Sequence, residues 1–430
     1  MNFRSKILYH LIYFKVSRIF FRNYLHNIRT ERFKKLLLHL TRSVFYKPYI
    51  KEGVTLQDFP LINKKIFVDN FDAINTCNIK CTDAYEQALK AEQSRNFSPT
   101  INGITVGLSS GTSGNRGLFL ANEDERARWV AAIIDRVIGF SFKKRKVAFF
   151  LRANSNLYDS VKSRFIQFHF LDLLKPINEN LHQLQILQPC ILVAQPSMLS
   201  EIAKAMQAGL LTIQPKKVIS VAEVLTPEDN TYLSKVFGQI IHQVYQCTEG
   251  FLAHTCKFGV LHFNEDFLFI ERKYMDAGNT KFHPVITDLF RTTQPVIRYE
   301  LNDIITEKKS CECGSRMMAI ESIEGRSDDM LRFETGDKQE AKIFPDFFRR
   351  AIITSANCID DYAVIQKGNN LLHLFIDPYN EEQFNLAAAS IQNLLQHYNV
   401  TGIDIKKSND NGHIPGNKLR RIKNELPQTC

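Results

Sequence analysis

The 430-residue chain contains no apolar run that approaches the length of a membrane-spanning helix, which is roughly 18 residues. Its N-terminal stretch, "MNFRSKILYHLIYFKVSRIFFRNYLH", is interrupted by charges every few positions and lacks a small-residue cleavage site, so it does not match a secretory signal peptide. The nine cysteines are an odd number in a long chain, which argues against a disulfide framework. These absences favour a cytoplasmic protein.

Internal repeats and low-complexity linkers are also missing from the sequence. A chain of 430 residues is longer than one typical core accommodates, and this length predicts two domains, one large and one small. The composition is 44% hydrophobic and 23% charged, which is close to that of an ordinary globular protein.

Acidic residues are scarce in one segment of the chain. Residues 1–50 contain eleven Lys and Arg but a single acid, Glu31, a balance of +10 that equals the net charge of the whole chain. The remaining residues are balanced, with 44 of each sign. Helical periodicity and frequent aromatics mark the same segment. It fits amphipathic helices packed on the main domain, which we favour, a helix lying on an anionic membrane, or a nucleic-acid-binding stripe.

The middle of the chain alternates strand-like and helix-like segments. "KVAFFL" is typical of a buried strand, and both "PCILVAQPSMLSEIAKAMQAGL" and "KKVISVAEVLTPEDNTYLSKVFG" predict a strand, a turn and a helix. This order predicts an α/β sheet with helices on its faces. Shorter β-like segments follow from about residue 260, and strand–helix alternation returns after Gly325. We therefore predict an α/β protein with a large N-terminal domain, 1–327, that includes a β-rich subdomain, and a small α+β C-terminal domain, 328–430.

Glycine, serine and threonine cluster in "LSSGTSGNRGLF", between a β-prone segment and the acid-led helical pattern "NEDERARWVAAIIDRVIGF". Glycines allow positive φ and close approach of the backbone, and hydroxyl groups donate to phosphate oxygens. The cluster is not a Walker loop, because the pattern GxxxxGK[ST] is absent. On its own it fits either a phosphate-binding loop or a solvated turn.

Four further motifs follow in order: "VYQCTEG", "VIRYELNDI", "IEGRSDD" and "GNKLRRI". Together with "SSGTSG" they resemble the motifs of the adenylate-forming superfamily, whose members activate carboxylic acids as acyl-adenylates. Within it, the chain looks most like phenylacetate–CoA ligases and the related archaeal coenzyme-adenylating synthetases, and the similarity covers nearly the whole chain. The resemblance implies a large adenylation domain followed by a small mobile one.

The resemblance also implies an activity and its cofactors. ATP and Mg²⁺ would convert a small carboxylic acid to acyl-AMP with release of pyrophosphate. The acyl group would then pass to a thiol, most commonly that of coenzyme A, with a carrier-protein thiol or an amine as alternatives. A rival hypothesis is a nucleotide-binding regulatory or scaffold protein of the same fold that docks to membrane through residues 1–50. No nucleic-acid partner is expected.

Joining a carboxylate to a phosphate brings two anions together, so cations are needed around the transition state. By resemblance, Glu249 would hold Mg²⁺, Thr248 would contact the α-phosphate, and Lys418 would bridge the substrate carboxylate and the nucleotide. Asp303 would accept hydrogen bonds from the ribose hydroxyls, and Asp328 would be the hinge between the domains. The other predicted nucleotide-binding residues are Ser109, Ser110, Gly111, Thr112, Ser113, Gly114, Arg116, Ala222, Glu223, Tyr245, Gln246 and Arg326.

The glycine-rich loop departs from the pattern of the family it resembles. Family loops commonly read Ser-Gly-Thr-Thr-Gly-x-Pro-Lys, whereas Gly117 stands here at the lysine position and Arg116 at the proline position. A guanidinium group grips phosphate well, so we expect Arg116 to supply the missing positive charge.

A second set of residues has the chemistry of a metal site. Cys256 and His262 precede, and Cys311 and Cys313 follow, the "VIRYELNDI" motif. Three sulfurs and one imidazole form the kind of set that zinc occupies in closed tetrahedral sites, and "CECG" resembles a tight donor turn. Unligated core cysteines and a redox role are the alternative interpretations.

Overall fold

The structure is a computed structural model of the chain. It describes all residues except 21–24, 95, 97–98, 109–116, 140, 142, 152–164, 174, 276–277, 327–329, 344, 354, 356–358, 360, 414–419 and 427–430. Two compact units are present, one formed by Met1–Leu301 with Glu307–Glu321 and the other by Asn302–Thr306 with Ser322–Cys430. The predicted boundary between residues 327 and 328 falls outside the described residues and stays a prediction.

The helices of the described residues are named in chain order. They are α1 (Phe3–Phe20), α2 (Leu25–Leu40), α3 (Lys64–Asp69), α4 (Phe71–Ile74), α5 (Cys81–Ser94), α6 (Glu123–Ile133), α7 (Ile177–Leu187), α8 (Pro196–Gln207), α9 (Pro227–Phe237), α10 (Pro345–Ile353) and α11 (Glu381–His397). Short 3₁₀ turns at Lys47–Tyr49 and Leu56–Asp58 and a π-helical turn at Ile134–Ile138 accompany them.

The strands are numbered in the same way. They are β1 (Thr105–Leu108), β2 (Leu118–Ala121), β3 (Arg145–Leu151), β4 (Ile166–Asp172), β5 (Ile191–Ala194), β6 (Lys217–Val221), β7 (Ile241–Cys247), β8 (Gly250–Thr255), β9 (Leu261–Phe263), β10 (Leu268–Tyr274), β11 (Lys281–Asp288), β12 (Tyr299–Glu300), β13 (Asp303–Lys308), β14 (Ala319–Arg326), β15 (Leu331–Glu334), β16 (Glu340–Ile343), β17 (Asp361–Gly368), β18 (Leu371–Asp377), β19 (Asp404–Lys407) and β20 (Ile422–Asn424).

The first unit is built around a large mixed sheet with the strand order β10-β11-β13-β14-β9-β8-β7-β6-β5-β3-β4, and β12 pairs with β11. Strands β3 to β7 run parallel to one another, whereas β8 pairs antiparallel with both β7 and β9. The division between the two units passes through β13 and β14. The β-rich stretch after residue 260 is thus continuous with the parallel strands in one sheet.

The predicted alternation of strands and helices is confirmed in the parallel part of this sheet. All four residues of β5 are buried, as expected for a parallel strand covered on both faces. Helix α8 begins with Pro196 in its first turn, and α9 begins with the pair Thr226 and Pro227. The Thr226 hydroxyl accepts a hydrogen bond of 3.1 Å from the amide of Asp229, which caps the helix. Local sequence signals therefore define these elements.

Helix α6 begins with a capping box. The Asn122 side chain accepts a hydrogen bond of 2.9 Å from the amide of Glu125, whose carboxylate accepts one of 2.9 Å from the amide of Asn122. The other oxygen of Glu125 accepts hydrogen bonds of 2.6 and 2.8 Å from the amides of Thr292 and Thr293. The start of α6 is thereby fixed to the turn that follows β11.

The basic N-terminal segment packs on the first unit. Phe14 of α1 is only 1% exposed, and its ring lies 6.2 Å from that of Phe267. Lys6 and His10 of α1 contact the first turn of α6, at 2.7 Å from Glu123 and 3.1 Å from Asp124. This packing is what the favoured interpretation of residues 1–50 expects. In the described part of the chain, no helix is both long and apolar enough to cross a membrane.

The second unit is α+β, as predicted. Its sheet has the order β19-β18-β17-β20, with a separate hairpin of β15 and β16. Helices α10 and α11 cover a core that includes Val364, Leu374 and Ile391. Helix α11 is capped by Asn380, whose side chain accepts hydrogen bonds from two amides of the first turn.

Candidate active site

Two groups of predicted nucleotide-binding residues lie near the carboxyl ends of neighbouring parallel strands. Val221 at the end of β6 pairs with Val244 of β7, so the two segments leave the sheet side by side. Open α/β sheets bind ligands in the crevice outside the carboxyl ends of their strands. The predicted residues that this pairing brings together are Ala222, Glu223, Tyr245 and Gln246.

Glu249, the predicted magnesium ligand, is held by two hydroxyl groups. The Tyr299 hydroxyl donates a hydrogen bond of 2.8 Å to Oε1, and the Thr248 hydroxyl donates one of 2.8 Å to Oε2. Burial acts to raise the pKa of Glu249, but hydrogen bonds from Tyr299, Thr248 and Cys247 outweigh it, so the pKa is lowered. An ionised carboxylate with unused lone pairs fits a hard cation such as Mg²⁺.

Thr248 is fixed by a chain of hydrogen bonds that ends on strand β2. The Arg291 guanidinium donates to the Thr248 carbonyl at 2.6 Å and to the Gln294 side-chain oxygen at 2.8 Å. The buried Gln294 side chain accepts from the amide of Leu120 at 3.1 Å and donates to the carbonyl of Leu118 at 3.3 Å. Sequence reasoning missed Arg291 and Gln294, because no motif marks them.

The glycine-rich loop connects the two strands of a hairpin. Leu108 of β1 pairs with Leu118 of β2, so residues 109–117 form the connection. Within it the predicted ligands Ser109, Ser110, Gly111, Thr112, Ser113, Gly114 and Arg116 lie outside the described residues, and their roles stay predictions. Gly117 is described, and it lines a cavity together with Thr248 and Glu249. The structure thus brings one end of the loop to the Thr248–Glu249 pair.

This cavity has a volume of about 300 Å³ and is partly lined by helix α3, which sequence reasoning had not assigned to the site. The residues that α3 contributes are Lys64, Phe67, Val68 and Asp69. Among the described lining residues, Lys64 carries the positive charge, and the negative charges are those of Asp69 and Glu249. A cation in the same cavity as Glu249 is the complement that a phosphate group would require.

Helix α3 reaches the site through long-range pairing with the "VIRYELNDI" segment. The amide of Ile62 donates to the carbonyl of Arg298 at 3.0 Å, and the amide of Glu300 donates to the carbonyl of Ile62 at 2.7 Å. The Phe67 ring then meets the Tyr299 ring edge-on, with centroids 5.3 Å apart. Ile62 and Arg298 are more than 200 residues apart in the sequence, and local patterns do not reveal such a pairing.

Glu223 has a structural contact that the sequence did not suggest. Its carboxylate accepts hydrogen bonds from Ser197, at 3.1 Å from the hydroxyl and 3.3 Å from the amide. Ser197 lies in the first turn of α8, so the negative charge stabilises the N-terminus of that helix. The predicted place of Glu223 in an adenine pocket stays a prediction.

The remaining predicted residues belong to the second unit. Asp303 begins β13, and Arg326 ends β14, in residues that cluster with this unit. Asp328 and Lys418 lie outside the described residues. The roles that the resemblance implies for these four residues stay predictions.

The predicted zinc ligands converge in the first unit. Cys256 follows β8 and His262 lies in β9, which form a hairpin, while Cys311 and Cys313 lie between β13 and β14. Strand β14 pairs with β9 at His262, which draws the two turns together. The four ligand atoms all lie within 4.8 Å of one another.

The separations between these atoms fit tetrahedral zinc. The Cys256 and Cys311 sulfurs are 3.8 Å apart, and the Cys313 sulfur is 3.3 Å from Nε2 of His262. Zn–S bonds of about 2.3 Å at tetrahedral angles place two sulfurs about 3.8 Å apart. Nδ1 of His262 lies 3.0 Å from the Met317 carbonyl, the outer contact that orients a metal-binding imidazole.

Backbone and thiol chemistry at this cluster also suit a metal. The amides of Phe258 and Ser315 each donate to a cysteine sulfur, Cys256 and Cys313 respectively, at 3.4 Å. Burial acts to raise the pKa of Cys311, but hydrogen bonds from Cys313, His262 and Cys256 lower it to about 7. Burial and the neighbouring cysteines raise the pKa of Cys313 to about 11, so within this pair the lowered pKa favours the thiolate at Cys311, the form that binds zinc.

The fold defined by these elements is that of the adenylate-forming acyl-CoA ligases, and comparison with solved structures supports this assignment. The crystal structure of 2-hydroxyisobutyryl-CoA ligase, in the postadenylation state with a bound acyl-AMP, matches 92% of this chain and 88% of its own chain, with a TM-score of 0.65 and 13% identity. The finer resemblance to phenylacetate–CoA ligases stays a prediction.

Two other solved structures have the same fold over a smaller part of the chain. Anthranilate CoA ligase AuaEII in complex with anthranoyl-AMP matches 73% of this chain and 66% of its own, with a TM-score of 0.52 and 13% identity. The amide bond synthetase McbA from Marinactinospora thermotolerans matches 74% and 67%, with a TM-score of 0.52 and 12% identity. No protein-family model and no curated protein matches the chain significantly.

Proposed function

We propose that the protein uses ATP and Mg²⁺ to activate a carboxylic acid as acyl-AMP and then transfers the acyl group to a thiol, most commonly that of coenzyme A. The observation that carries the proposal is the placement of Thr248 and Glu249. Their hydroxyl and ionised carboxylate line a cavity into which Lys64 and one end of the glycine-rich loop also project. This combination suits a magnesium-bound polyphosphate.

Each of the proposed site residues has a separate role in the adenylation step. Glu249 holds Mg²⁺, and Thr248 contacts the α-phosphate that the substrate carboxylate attacks. As the carboxylate oxygen bonds to the α-phosphorus, the bond to pyrophosphate breaks, and Lys64 and Arg116 would balance the negative charge of the leaving pyrophosphate. A Mg²⁺ ion held by Glu249 would supply further positive charge there. The Asp303 carboxylate accepts hydrogen bonds from the ribose hydroxyls. Lys418 contacts both the substrate carboxylate and the nucleotide. Each of these assignments is part of the proposal.

The acceptor is proposed from the solved structures that share the fold. Two of those described are named as CoA ligases and one as an amide bond synthetase. Coenzyme A is therefore the first acceptor to test, a carrier-protein thiol the second and an amine the third. The rival proposal, a nucleotide-binding regulatory protein, predicts binding of ATP without turnover.

Exchange of labelled pyrophosphate into ATP tests the adenylation step. We expect exchange that depends on Mg²⁺ and on one class in a panel of aliphatic and aromatic acids. Addition of coenzyme A should then consume free thiol at the rate at which AMP appears. ATP binding without acid-dependent exchange, for every acid tested, would favour the regulatory protein instead.

Replacement of Lys64 tests its role in ATP binding, and the neighbouring Lys65 provides a matched control. Lys64→Met should lower kcat/KM for ATP about tenfold to a hundredfold, because a charged hydrogen bond to phosphate contributes about 1.5–3 kcal/mol. Lys64→Arg should restore part of the loss. Lys65→Met is the control, since Lys65 is exposed and does not line the cavity. Equal kinetics for the two methionine variants would remove Lys64 from the site.

We also propose that the Cys256, His262, Cys311 and Cys313 cluster binds a structural zinc ion. Four protein ligands close the coordination sphere and leave no position for substrate, which is the arrangement of structural sites. The metal would join the β8–β9 hairpin to the turn between β13 and β14 within the first unit. It would contribute to stability and take no part in the reaction.

A further inference from the structure

Helix α1 has apolar side chains on two opposite faces, and only one of them is covered. His10, Phe14 and Ser17 are buried on the covered face. Phe14 packs against Phe267, and the Arg136 guanidinium lies 5.3 Å from the Phe14 ring. This face fixes the helix to the first unit, and Phe14 is its fully buried apolar side chain.

The opposite face carries a row of exposed apolar side chains. Leu8, Ile12 and Val16 recur every four residues, so they lie one above the other along the helix, and they are 56%, 54% and 42% exposed. Tyr9, which is 57% exposed, adjoins them. We call these four residues the outer stripe. Its length along the helix axis is about 12 Å, from the 1.5 Å rise per residue.

Exposed apolar residues concentrate in this part of the chain. Of the 18 large hydrophobic residues that are exposed among the described residues, seven lie in the first 44 positions. Single exposed apolar residues are normal on a protein surface, whereas a continuous row indicates an interaction surface. We therefore expect the outer stripe to contact a partner that removes its apolar side chains from water.

The charges beside the outer stripe identify the chemistry of that occupant. Arg4 lies one turn before Leu8 and Lys15 lies three residues after Ile12, so both exposed cations border the stripe. Residues 1–50 hold the entire net charge of +10. A phosphate backbone would attract the cations but leave the apolar row in water. An anionic bilayer surface accommodates both, because cations bind headgroups while apolar side chains enter the acyl boundary.

We propose that the outer stripe of α1 binds reversibly to membranes that contain anionic lipids and holds the protein at their surface. The helix lies flat, since its other face stays packed on the first unit. One short helix face gives weak binding that salt reduces. The inference is independent of the proposed enzymatic function.

Sedimentation of the full chain with lipid vesicles tests this proposal. Binding should be clearly stronger to vesicles of phosphatidylcholine mixed with phosphatidylserine than to phosphatidylcholine alone, and added salt should reduce it. The triple variant Leu8→Ser, Ile12→Ser, Val16→Ser should lose about tenfold or more in partition coefficient, because each substitution removes apolar burial. Its melting temperature should match that of the unmodified protein, since the packed face is untouched.

Two control variants separate the apolar and the electrostatic contributions to vesicle binding. Ile186→Ser, Leu210→Ser and Leu386→Ser together remove exposed apolar side chains elsewhere, 69%, 76% and 48% exposed, and should leave vesicle binding unchanged. Arg4→Glu with Lys15→Glu should abolish the preference for phosphatidylserine. The proposal is overturned if the outer-stripe variant sediments like the unmodified protein. It is also overturned if that variant turns a dimer into a monomer without lipid, because the stripe would then bind a second copy of the chain.

Discussion

Replacement of Glu249 by glutamine should lower the rate of ATP–pyrophosphate exchange by about 100-fold or more, the size of loss that follows removal of one preorganised electrostatic contact. Glutamine keeps the shape of the side chain and accepts the hydrogen bond that Tyr299 donates at 2.8 Å. It lacks the negative charge that holds Mg²⁺. Initial exchange rates across a range of Mg²⁺ concentrations measure the effect, which excess metal should restore only in part.

A second variant separates the effect of the Glu249 charge from the effect of the hydrogen bond that positions its side chain. Tyr299→Phe removes one hydrogen bond to Glu249 but keeps the carboxylate ionised, so we expect a loss of about tenfold or less. If Glu249→Gln retained more activity than Tyr299→Phe, Glu249 would not be the magnesium ligand. Circular dichroism of both variants should show an unchanged fold, because the substitutions preserve side-chain volume.

Purification without chelators should yield about one equivalent of zinc per chain, and Cys313→Ser should remove it and lower the melting temperature by about 10 °C or more. The loss is large because the metal would join side chains from two turns that are about 50 residues apart in the sequence. Zinc binding requires thiolate ligands, so stability from the metal is present at neutral pH and is lost as acid protonates them. Elemental analysis and thermal unfolding at several pH values measure both effects.

Cys190→Ser is the control for the zinc prediction. Cys190 is also a half-buried free thiol, but it lies outside the cluster, with its sulfur 3.4 Å from the Lys146 carbonyl. Its variant should keep the metal and the melting temperature of the unmodified protein. Less than about half an equivalent of zinc in the unmodified protein would instead indicate that the four residues are unligated.

The elements that the sequence predicted well are those with local signals. Strand β5 and helix α8, and strand β6 and helix α9, are each marked by an apolar run followed by proline and a helical apolar pattern. The four residues of the proposed zinc site could also be named from the sequence, because zinc favours cysteine and histidine. Their convergence depends on the pairing of β9 with β14, and no local pattern encodes that pairing.

The elements that the sequence did not predict depend on contacts between distant segments. Helix α3 joins the site only because Ile62 pairs with the backbone around Tyr299. Arg291 and Gln294 position Thr248 and β2 through side-chain hydrogen bonds. No sequence motif surrounds these residues, and their roles follow from tertiary packing.

The capping box of α6 has a consequence for how phosphate is held. A free helix N-terminus carries a partial positive charge and often binds phosphate. Here the first turn contains Glu123, Asp124 and Glu125, and the Glu125 carboxylate has already neutralised that end of the helix dipole. This end of α6 follows Ala121, at the opposite end of β2 from the 109–117 connection, and its own carboxylates occupy it. In the proposed function, phosphate binding at the connection would therefore depend on side-chain cations and loop hydroxyls. A triphosphate bound in this way should be unusually sensitive to loss of a single lysine or arginine.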